Sequence, residues 1–303
     1  MTMTVRRLAS GIGAEIVGVD VSRPIDDATF ARIEEAWREH VVLLFRGQRL
    51  DHARHIAFSR RFGPLDDHGT IPRFRDPEHH EILLVTNQEV GGRPQPVGRQ
   101  WHSDLSTTLR PARGSLLRSE VIPPVGGDTM FANMYLAYET LSPAMRELID
   151  PLSAIHDMTV AKQSRGRDPA DLAAVRKQNP PVVHPMVVVH PETGRRALYV
   201  SEMTTIGIVG LTQDEARPLL QSLYRHSVRP EFTYRHRWAV GDLLAWDNRC
   251  AMHLALDDYD LAVPRRMYRT TLLGEPTGRF ATPAMLAHLA GIPVPEDELA
   301  AMA

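Results

Sequence analysis

Cysteine is nearly absent from this chain of 303 residues. Cys250 is its one cysteine, so no disulfide can form within the chain. Proteins that depend on disulfides are made in oxidising compartments, whereas reduced thiols are the rule in the cytosol. The cysteine count therefore favours a reducing compartment.

Long apolar runs and an excess of one charge sign are also missing. The longest apolar runs, such as 41–45, are far too short to cross a bilayer. Residues 1–7 contain no hydrophobic signal core. The net charge is −2, so no general basic field attracts nucleic acid. We expect a cytoplasmic protein that binds neither nucleic acid nor membrane.

Glycine-rich phosphate loops are not found either. The glycine pairs 91–92 and 126–127 lack the Walker lysine pattern and the dinucleotide fingerprint. The sequence shows no internal repeat and no coiled-coil heptads. A nucleotide-binding enzyme with a doubly wound sheet is therefore not expected.

What the chain does contain is enough apolar sequence for a large core, arranged mostly as short strands. Hydrophobic residues make up 43% of the chain. Short strands separated by turns dominate the middle and C-terminal parts, and helical patterns stand before and between them. This arrangement predicts a mainly β fold, a sandwich or barrel with flanking helices.

Three local features extend this prediction. The glycine pair at 126–127 predicts a hairpin leading into a strand, and residues 182–190 read as one strand. The segment from about 158 to 180 is charged and punctuated by proline and glycine, which indicates a lid or an insertion. Residues after about 280 have little periodicity and are expected to form a tail on the surface.

The residues that could carry chemistry begin with His102-Ser103-Asp104. In an extended strand, residues i and i+2 point to the same side, so one imidazole and one carboxylate would face one cavity. His253, just after an apolar strand, is the candidate for a third ligand. Two histidines and one carboxylate are the ligand set of non-haem Fe(II) oxygenases. A chain with 14 histidines contains one H-x-D by chance, so this motif needs further support.

That support comes from arginines in the last strand-forming run. Arg265 and Arg269 are four residues apart and would face the same way on a strand. Guanidinium groups held close together favour a bound anion, and arginine recognises carboxylates through paired hydrogen bonds. We therefore expect acids as substrates.

Several blocks together give the sequence a family resemblance. It resembles the taurine dioxygenase and 2,4-dichlorophenoxyacetate dioxygenase (TauD/TfdA) family of Fe(II)- and 2-oxoglutarate-dependent oxygenases, from about residue 5 to 280. The residues that carry the resemblance, in family order, are Trp101 to Asp104, Gly126 to Thr129, His184-Pro185, His190 to Gly194, Trp246 to Arg249, His253, and Arg265 to Arg269.

The resemblance implies a fold and a set of roles. The fold is a double-stranded β-helix (jelly-roll, cupin-like) core in one dioxygenase domain over residues 1–280, followed by a tail over 281–303. His102, Asp104 and His253 would hold Fe(II) and act as the catalytic centre. Thr129 and Arg265 would bind the distal carboxylate of 2-oxoglutarate, with O2 as the other cosubstrate.

The substrate implied is a small, largely apolar organic acid. The family positions that contact the acid group of the substrate correspond to Arg269 and His68. The family residues that surround the amine of taurine are replaced in this sequence. The expected substrate pocket consists of Arg269, His68, Ile71, Gly98, Leu105, Met158 and Met203. Methionine and isoleucine suit an adaptable apolar pocket. An alkyl- or arylsulfonate, a sulfate ester or a carboxylate fits this set better than taurine does.

Other interpretations stay open at this point. The chain could be a taurine dioxygenase proper or an oxygenase of a specialised-metabolite pathway. From other classes, it could be a hydrolase that uses Zn(II) or a non-catalytic binding protein on the same fold. Thr129 and Arg265 argue against the hydrolase, because hydrolysis needs no 2-oxoglutarate site. Relatives form homodimers or homotetramers, and no interface signature decides between them.

Overall fold

The architecture of the computed structural model is mainly β, with helices packed against several sheets. The residues that it describes are 3–69, 72–88, 98–160, 168–287 and 289. The helices are α1 (Asp27–His40), α2 (His52–Arg60), α3 (Met134–Glu139), α4 (Pro143–Ile149), α5 (Pro169–Gln178), α6 (Gln213–Ser227) and α7 (Pro283–Leu286). The strands are β1 (Thr4–Arg7), β2 (Ala14–Val17), β3 (Val42–Phe45), β4 (Leu83–Thr86), β5 (Ala112–Val121), β6 (Thr129–Asn133), β7 (Ser153–His156), β8 (Val182–Pro185), β9 (Val187–Val189), β10 (Arg196–Leu198), β11 (Thr205–Ile208), β12 (Thr233–His236), β13 (Leu243–Asp247), β14 (Ala251–Ala255), β15 (Arg266–Leu273) and β16 (Arg279–Phe280).

The largest sheet has seven strands in the order β1-β2-β3-β13-β5-β15-β4. Its pairings are antiparallel except for β2 with β3. Every residue of the central strand β13 is buried. Because both faces of this strand are covered, residues 243–246 form a continuous apolar run and do not alternate.

Helices α1 and α2 cover one face of this sheet. Helix α1 begins after Asp26, whose Oδ1 accepts a hydrogen bond from the backbone N–H of Thr29 at 2.8 Å, as expected of an N-cap. Its buried face carries Phe30 and Trp37, and both rings meet Phe62 edge to face at 4.9 and 5.1 Å. Such aromatic contacts stabilise the layer beyond the burial of their area.

A three-stranded sheet, β12-β6-β14, packs with the opposite face. One hydrophobic cluster joins the two sheets: Leu117 and Trp246 come from the large sheet and Phe131 from the small one. The Phe131 and Trp246 rings lie 5.5 Å apart. Strands β6 and β14 are therefore fixed against β5 and β13, and this contact positions the site described below.

The remaining strands form a four-stranded sheet, β11-β7-β8-β16, and a two-stranded sheet, β10-β9. Helix α6 packs near β11 and begins with a capping box between Thr212 and Glu215. The predicted strand over 182–190 is divided between β8 and β9, which belong to different sheets. Pro185 ends β8, where it has no N–H to donate to a continuing ladder.

The predicted hairpin at Gly126-Gly127 is wrong. The chain leaves β5 in the seven-stranded sheet and enters β6 in the three-stranded sheet, and these two strands do not pair. Both glycines have positive φ, +74° and +70°. A Cβ on Gly126 would overlap the backbone of Asp258. The pair thus allows a close backbone approach in a crossover between sheets.

The region from 158 to 180 contains a short 3-10 turn, Met158–Val160, and helix α5, and residues 161–167 lie outside the described part. A buried ion pair between Arg176 and Asp157 joins α5 to this turn. In the predicted tail, Leu286 and Leu289 are buried, so its first turn packs with the protein. Of the helices described, none has both the length and the apolar character required to span a membrane.

Candidate metal centre

His102 and His253, about 150 positions apart in the chain, face each other across a single antiparallel bridge. The backbone N–H of each donates to the carbonyl of the other, at 3.1 and 2.8 Å. His253 is the middle residue of β14, whereas a turn begins at Asp104. The expectation that His102-Ser103-Asp104 lie in one extended strand is therefore wrong. The bridge to β14 brings the side chains together instead.

The three predicted ligands lie around one point. His102 Nε2 is 4.0 Å from Asp104 Oδ1, and His253 Nε2 is 3.9 Å from Asp104 Oδ2. One possible ligand atom from each residue lies within 4.8 Å of the others, and all three residues are buried. Three protein ligands on one side would leave positions free for other molecules, as oxygenase chemistry requires.

The histidines are present in the form that binds metals. His102 Nδ1 is 2.7 Å from the carbonyl of Gln100, so Nδ1 carries the proton and Nε2 presents its lone pair. Burial lowers the pKa of His102, and burial together with the adjacent His102 lowers that of His253 to about 3. Both rings are therefore neutral at ordinary pH, and metal binding requires no deprotonation of them.

The Asp104 carboxylate is held on both oxygens. Arg269 Nη1 donates to Oδ1 at 2.6 Å, and the Ser115 hydroxyl donates to Oδ2 at 2.7 Å. Burial raises the pKa of Asp104, but the charge of Arg269 and the neighbouring His253 outweigh it and lower the pKa well below its usual range. Asp104 is thus an ionised carboxylate available to a cation.

Thr129 and Arg265 lie close to each other in the fold, Thr129 at the start of β6 and Arg265 directly before β15. Thr129 begins β6, two residues before Phe131, the register partner of His253. Its hydroxyl accepts from the indole N–H of Trp238 at 3.0 Å, so its own proton is left to donate. Arg265 Nε donates to the carbonyl of Gly127 at 3.0 Å, two residues from Thr129.

The charge of Arg265 has no ion-pair partner within the described ranges of the chain. The side chain is buried, with 6% of the residue exposed. Burial lowers its pKa, and the nearby Tyr259 and Asp128 only partly offset this. Asp128 itself pairs with Arg235 at 2.7 Å. A buried guanidinium without a counter-ion is costly unless an anion binds, so Arg265 is a candidate anion-binding residue.

The loops predicted to form the substrate pocket lie close to the ligands, as far as they are described. A Cβ on Gly98, which has φ +75°, would stand 3.2 Å from Cε1 of His102. Leu105 also has a positive φ, 55°, directly after Asp104. The backbone N–H of Met203 reaches the carbonyl of Trp101 at 3.4 Å.

The three remaining residues of the predicted pocket are Met158, Ile71 and His68. Met158 is half-buried at the start of the short turn after β7, and Ile71 lies outside the described residues. His68 is buried, with 1% of the residue exposed. Its Nε2 lies 3.2 Å from the carbonyl of Glu81 and its Nδ1 lies 3.3 Å from Asp66. Both ring nitrogens of His68 thus already have acceptors in the protein.

A second group with metal-ligand chemistry, His190, Asp247 and Cys250, is occupied by protein partners. His190 Nε2 and Arg249 Nη2 lie 3.0 and 2.6 Å from Asp247 Oδ2. Backbone N–H groups of residues 192 and 193 donate to His190 Nδ1. With both imidazole nitrogens engaged, this group is a structural network that fixes the turn after β13.

Two residues at the centre were not singled out from the sequence. Ser115 bonds the Asp104 carboxylate, and Asn248 accepts from the backbone N–H of Asp104 at 3.1 Å. Asn248 belongs to the Trp246 to Arg249 block, so a signal existed for it. Ser115 had none, because a serine inside an apolar strand pattern is usually read as a packing residue.

Comparisons with known proteins agree with this geometry. The family model described as "Taurine catabolism dioxygenase TauD, TfdA family" matches residues 4–271. The chain is 37% identical over 282 residues to an alpha-ketoglutarate-dependent sulfate ester dioxygenase of Pseudomonas putida, covering 91% of each chain. It is 34% identical over 288 residues to an alpha-ketoglutarate-dependent 2,4-dichlorophenoxyacetate dioxygenase of Cupriavidus pinatubonensis, covering 91% of this chain and 99% of that one.

The chain is also similar to a solved structure. The crystal structure of AAD-2 in complex with Mn(II) and N-oxalylglycine superposes with a TM-score of 0.80 at 30% identity, covering 91% of this chain and 99% of that one. The family match spans most of the chain, and both curated relatives exceed 30% identity over nearly their whole lengths. The chain is thus a member of the TauD/TfdA family and, with it, one of the dioxygenases that use Fe(II), 2-oxoglutarate and O2.

Proposed function

We propose that His102, Asp104 and His253 hold the Fe(II) of this dioxygenase. The support is the convergence of two neutral imidazoles and one ionised carboxylate within 4.8 Å of one another. When bound, Fe(II), 2-oxoglutarate and O2 supply the oxidising chemistry, in which 2-oxoglutarate becomes succinate and CO2 while a substrate C–H bond is hydroxylated. The protein contributes the ligands, orientation and a buried site.

In this proposal, Thr129 and Arg265 bind the distal carboxylate of 2-oxoglutarate. The observation that carries the assignment is the buried guanidinium of Arg265, for which no carboxylate partner exists in the described residues. Arg265 would form paired hydrogen bonds with the carboxylate. The Thr129 hydroxyl, which accepts from Trp238, would donate its proton to the same group.

The substrate in this proposal is a small, largely apolar organic acid. Arg269 would anchor the acid, since its Nε is buried and has no partner among the described residues. Apolar contacts would come from the neighbouring loops: Ile71, Gly98, Leu105, Met158 and Met203. His68 would lie behind the acid group, tied to Asp66.

A sulfate ester, an alkyl- or arylsulfonate, or a carboxylate is the class that fits. The relatives named above act on a sulfate ester and on 2,4-dichlorophenoxyacetate, which are acids of this kind. Hydroxylation of the carbon next to the heteroatom would give an unstable adduct, which collapses to an aldehyde and a released anion. Taurine is the weaker candidate, because the positions around its amine carry Ile71 and Gly98.

The sheets would together form a double-stranded β-helix, or jelly roll. The seven-stranded and three-stranded sheets are largely antiparallel and enclose one hydrophobic cluster. The ligands come from β14 and from the segment bridged to it, so the metal would lie beside the three-stranded sheet.

The test is conversion of 2-oxoglutarate to succinate by the purified protein with Fe(II) and ascorbate. A panel of sulfate esters, sulfonates, aryloxy acids and taurine would be compared at equal concentrations. We expect turnover coupled to at least one apolar acid, with less from taurine. Asp104→Ala should abolish turnover, and Arg265→Gln should raise the KM for 2-oxoglutarate. Activity with Zn(II) alone, or no succinate with any acid, would contradict the proposal.

A further inference from the structure

The carboxylate of Asp104 is the end of a chain of buried hydrogen bonds that begins at Asn248. The Asn248 side-chain amide donates from Nδ2 to Ser115 Oγ at 3.0 Å, and Ser115 Oγ donates to Asp104 Oδ2 at 2.7 Å. Asn248 and Ser115 are at most 1% exposed. Neither side chain contacts bulk water, so each bond depends on the protein alone.

The orientation of the Asn248 amide is fixed by its neighbours. Its Oδ1 faces two donors, the indole N–H of Trp246 at 3.0 Å and the backbone N–H of Asp104 at 3.1 Å. A flipped amide would direct its own N–H groups at these donors, which is unfavourable. The Nδ2 group must therefore point to Ser115.

This orientation determines where the Ser115 proton goes. A serine hydroxyl has one proton and two lone pairs. Because Asn248 Nδ2 has no lone pair to offer, Ser115 Oγ accepts there and must donate elsewhere. Asp104 Oδ2 is its acceptor, so the bond always presents a proton to the carboxylate.

The framework around this chain of bonds is rigid. Trp246 and Ser115 are register partners in the adjacent central strands β13 and β5. The backbone N–H of Asn248 donates to the carbonyl of Arg113 at 3.0 Å. The preceding residue, Asp247, is held by His190. The hydroxyl on β5 and the amide directly after β13 are thus fixed relative to each other by two paired strands, and the Asp104 carboxylate is bonded to that hydroxyl.

We propose that Asn248 and Ser115 are positioning residues that fix the Asp104 carboxylate in the orientation required by the metal. The inference rests on the proposed function only in that Asp104 is taken as a metal ligand. Asn248 sets the backbone of Asp104 and the direction of the Ser115 hydroxyl, and Ser115 then fixes one carboxylate oxygen. Partners of this kind orient metal ligands, and their loss weakens metal binding about 10- to 100-fold in other proteins.

The experiment measures Mn(II) binding to the metal-free full-length protein by electron paramagnetic resonance, so that no turnover is needed. Ser115→Ala, Asn248→Ala and the double variant are compared with the wild type. We expect each single change to raise the Mn(II) Kd about tenfold or more. The double change should do little more than the larger single change, because both act through one chain of bonds.

The matched control is Ser227→Ala. Ser227 is also fully buried, and its hydroxyl donates to the carbonyl of Leu223 within α6. Ser227→Ala removes a buried hydroxyl far from the proposed metal ligands and should leave the Mn(II) Kd unchanged. Ser115→Cys keeps the packing with a weaker donor and should give an intermediate Kd, so the proposal can be tested even if Asn248→Ala fails to fold.

Two results would distinguish failure of the proposed metal site from failure of the positioning role. If the wild type does not bind Mn(II), the proposed metal site is wrong. If the wild type binds Mn(II) and Ser115→Ala binds it equally well at a lowered thermal midpoint, Ser115 is merely structural and the positioning role is overturned. Absorption of the Co(II)-loaded protein gives a second readout: its ligand-field bands should shift in Ser115→Ala and not in Ser227→Ala.

Discussion

Arg269 forms an ion pair with Asp104, one of the three predicted metal ligands, at 2.6 Å. Two aspartates that precede Arg269 in the sequence form ion pairs with other arginines instead: Asp257 pairs with Arg99 and Asp258 with Arg235. The same guanidinium therefore compensates the charge of a proposed metal ligand and stands where a substrate acid is proposed to bind. Removing it has consequences for stability as well as for substrate binding.

Arg269→Met tests the first of these roles. Breaking a buried ion pair by removing one partner costs about 3–5 kcal/mol, because the other charge stays buried and unpaired. We expect the metal-free variant to be destabilised by that order. A divalent ion would replace the lost positive charge, so Mn(II) should raise the thermal midpoint more in Arg269→Met than in the wild type. Equal Mn(II)-induced shifts in a scanning calorimeter would argue against electrostatic compensation of Asp104.

In the absence of 2-oxoglutarate, Arg265→Met should not destabilise the protein, in contrast to Arg269→Met. Replacement of an uncompensated buried charge by an apolar side chain is neutral or stabilising, so the thermal midpoint of the metal-free protein should stay the same or rise. Addition of 2-oxoglutarate with Mn(II) should stabilise the wild type by about 2.7 kcal/mol at one hundred times its Kd. The 2-oxoglutarate contribution should be lost in the variant.

The adjacent arginine provides the control for that experiment. Arg266→Met removes an equal charge one residue away and should keep the response to 2-oxoglutarate. If Arg265→Met retained the full 2-oxoglutarate response, Arg265 would not be the partner of its distal carboxylate.

Gly98→Ala should disturb the metal centre through His102. The added Cβ would stand 3.2 Å from His102 Cε1, at a backbone φ of +75°. Gly194 is a matched control, because its φ is +68° and nothing lies within 4 Å of its Cβ position. Both alanines should cost about 1 kcal/mol in unfolding free energy from backbone strain, measured by urea titration. The Mn(II) Kd should rise only in Gly98→Ala, and a rise in both would exclude contact with His102 as the cause.

Stability should fall in acid because of neutral buried histidines. Burial lowers the pKa of both His55 and His156 from 6.5 to about 3. The unfolded chain therefore binds more protons between pH 6.5 and 3, and the unfolding free energy decreases as pH falls through that window. Each group contributes about 1.4 kcal/mol per pH unit.

Urea titrations from pH 7 to pH 4 measure this slope. His156→Gln should reduce the slope by about one proton. Leu148→Ala, at an exposed residue that does not titrate, should shift the curve without altering its slope. An unchanged slope in His156→Gln would contradict the assignment of a neutral His156.

The sequence was sufficient for much of the fold because its signals were local. Helix α1 has an N-cap and a 3.6-residue apolar period, and residues 243–246 of β13 form an apolar run, so both can be recognised from the sequence. Strands β7 and β11 were not predicted. His156 in β7 and Thr205 in β11 are buried polar residues that pair with each other only in the folded sheet, so neither segment shows a periodic pattern by itself.

At the site, chemistry was easier to predict than geometry. His102, Asp104 and His253 converge as expected, although by a bridge to β14 and a turn, not along one strand. Arg269 was expected at the substrate, and its pairing with Asp104 could not be inferred, because nothing in the local sequence relates β15 to the turn at Asp104. Tertiary packing decides such contacts between distant segments.

The reciprocal backbone bonds between His102 and His253 bear on how the protein acquires its metal during synthesis. The two imidazoles come from positions about 150 residues apart, so no partial chain that ends before His253 has more than two of the three proposed ligands. A growing chain on the ribosome would therefore hold iron poorly until most of the domain has emerged. Tight metal binding would then occur only after the last strands have joined the sheets. It would therefore distinguish completed chains from chains that are still being synthesised.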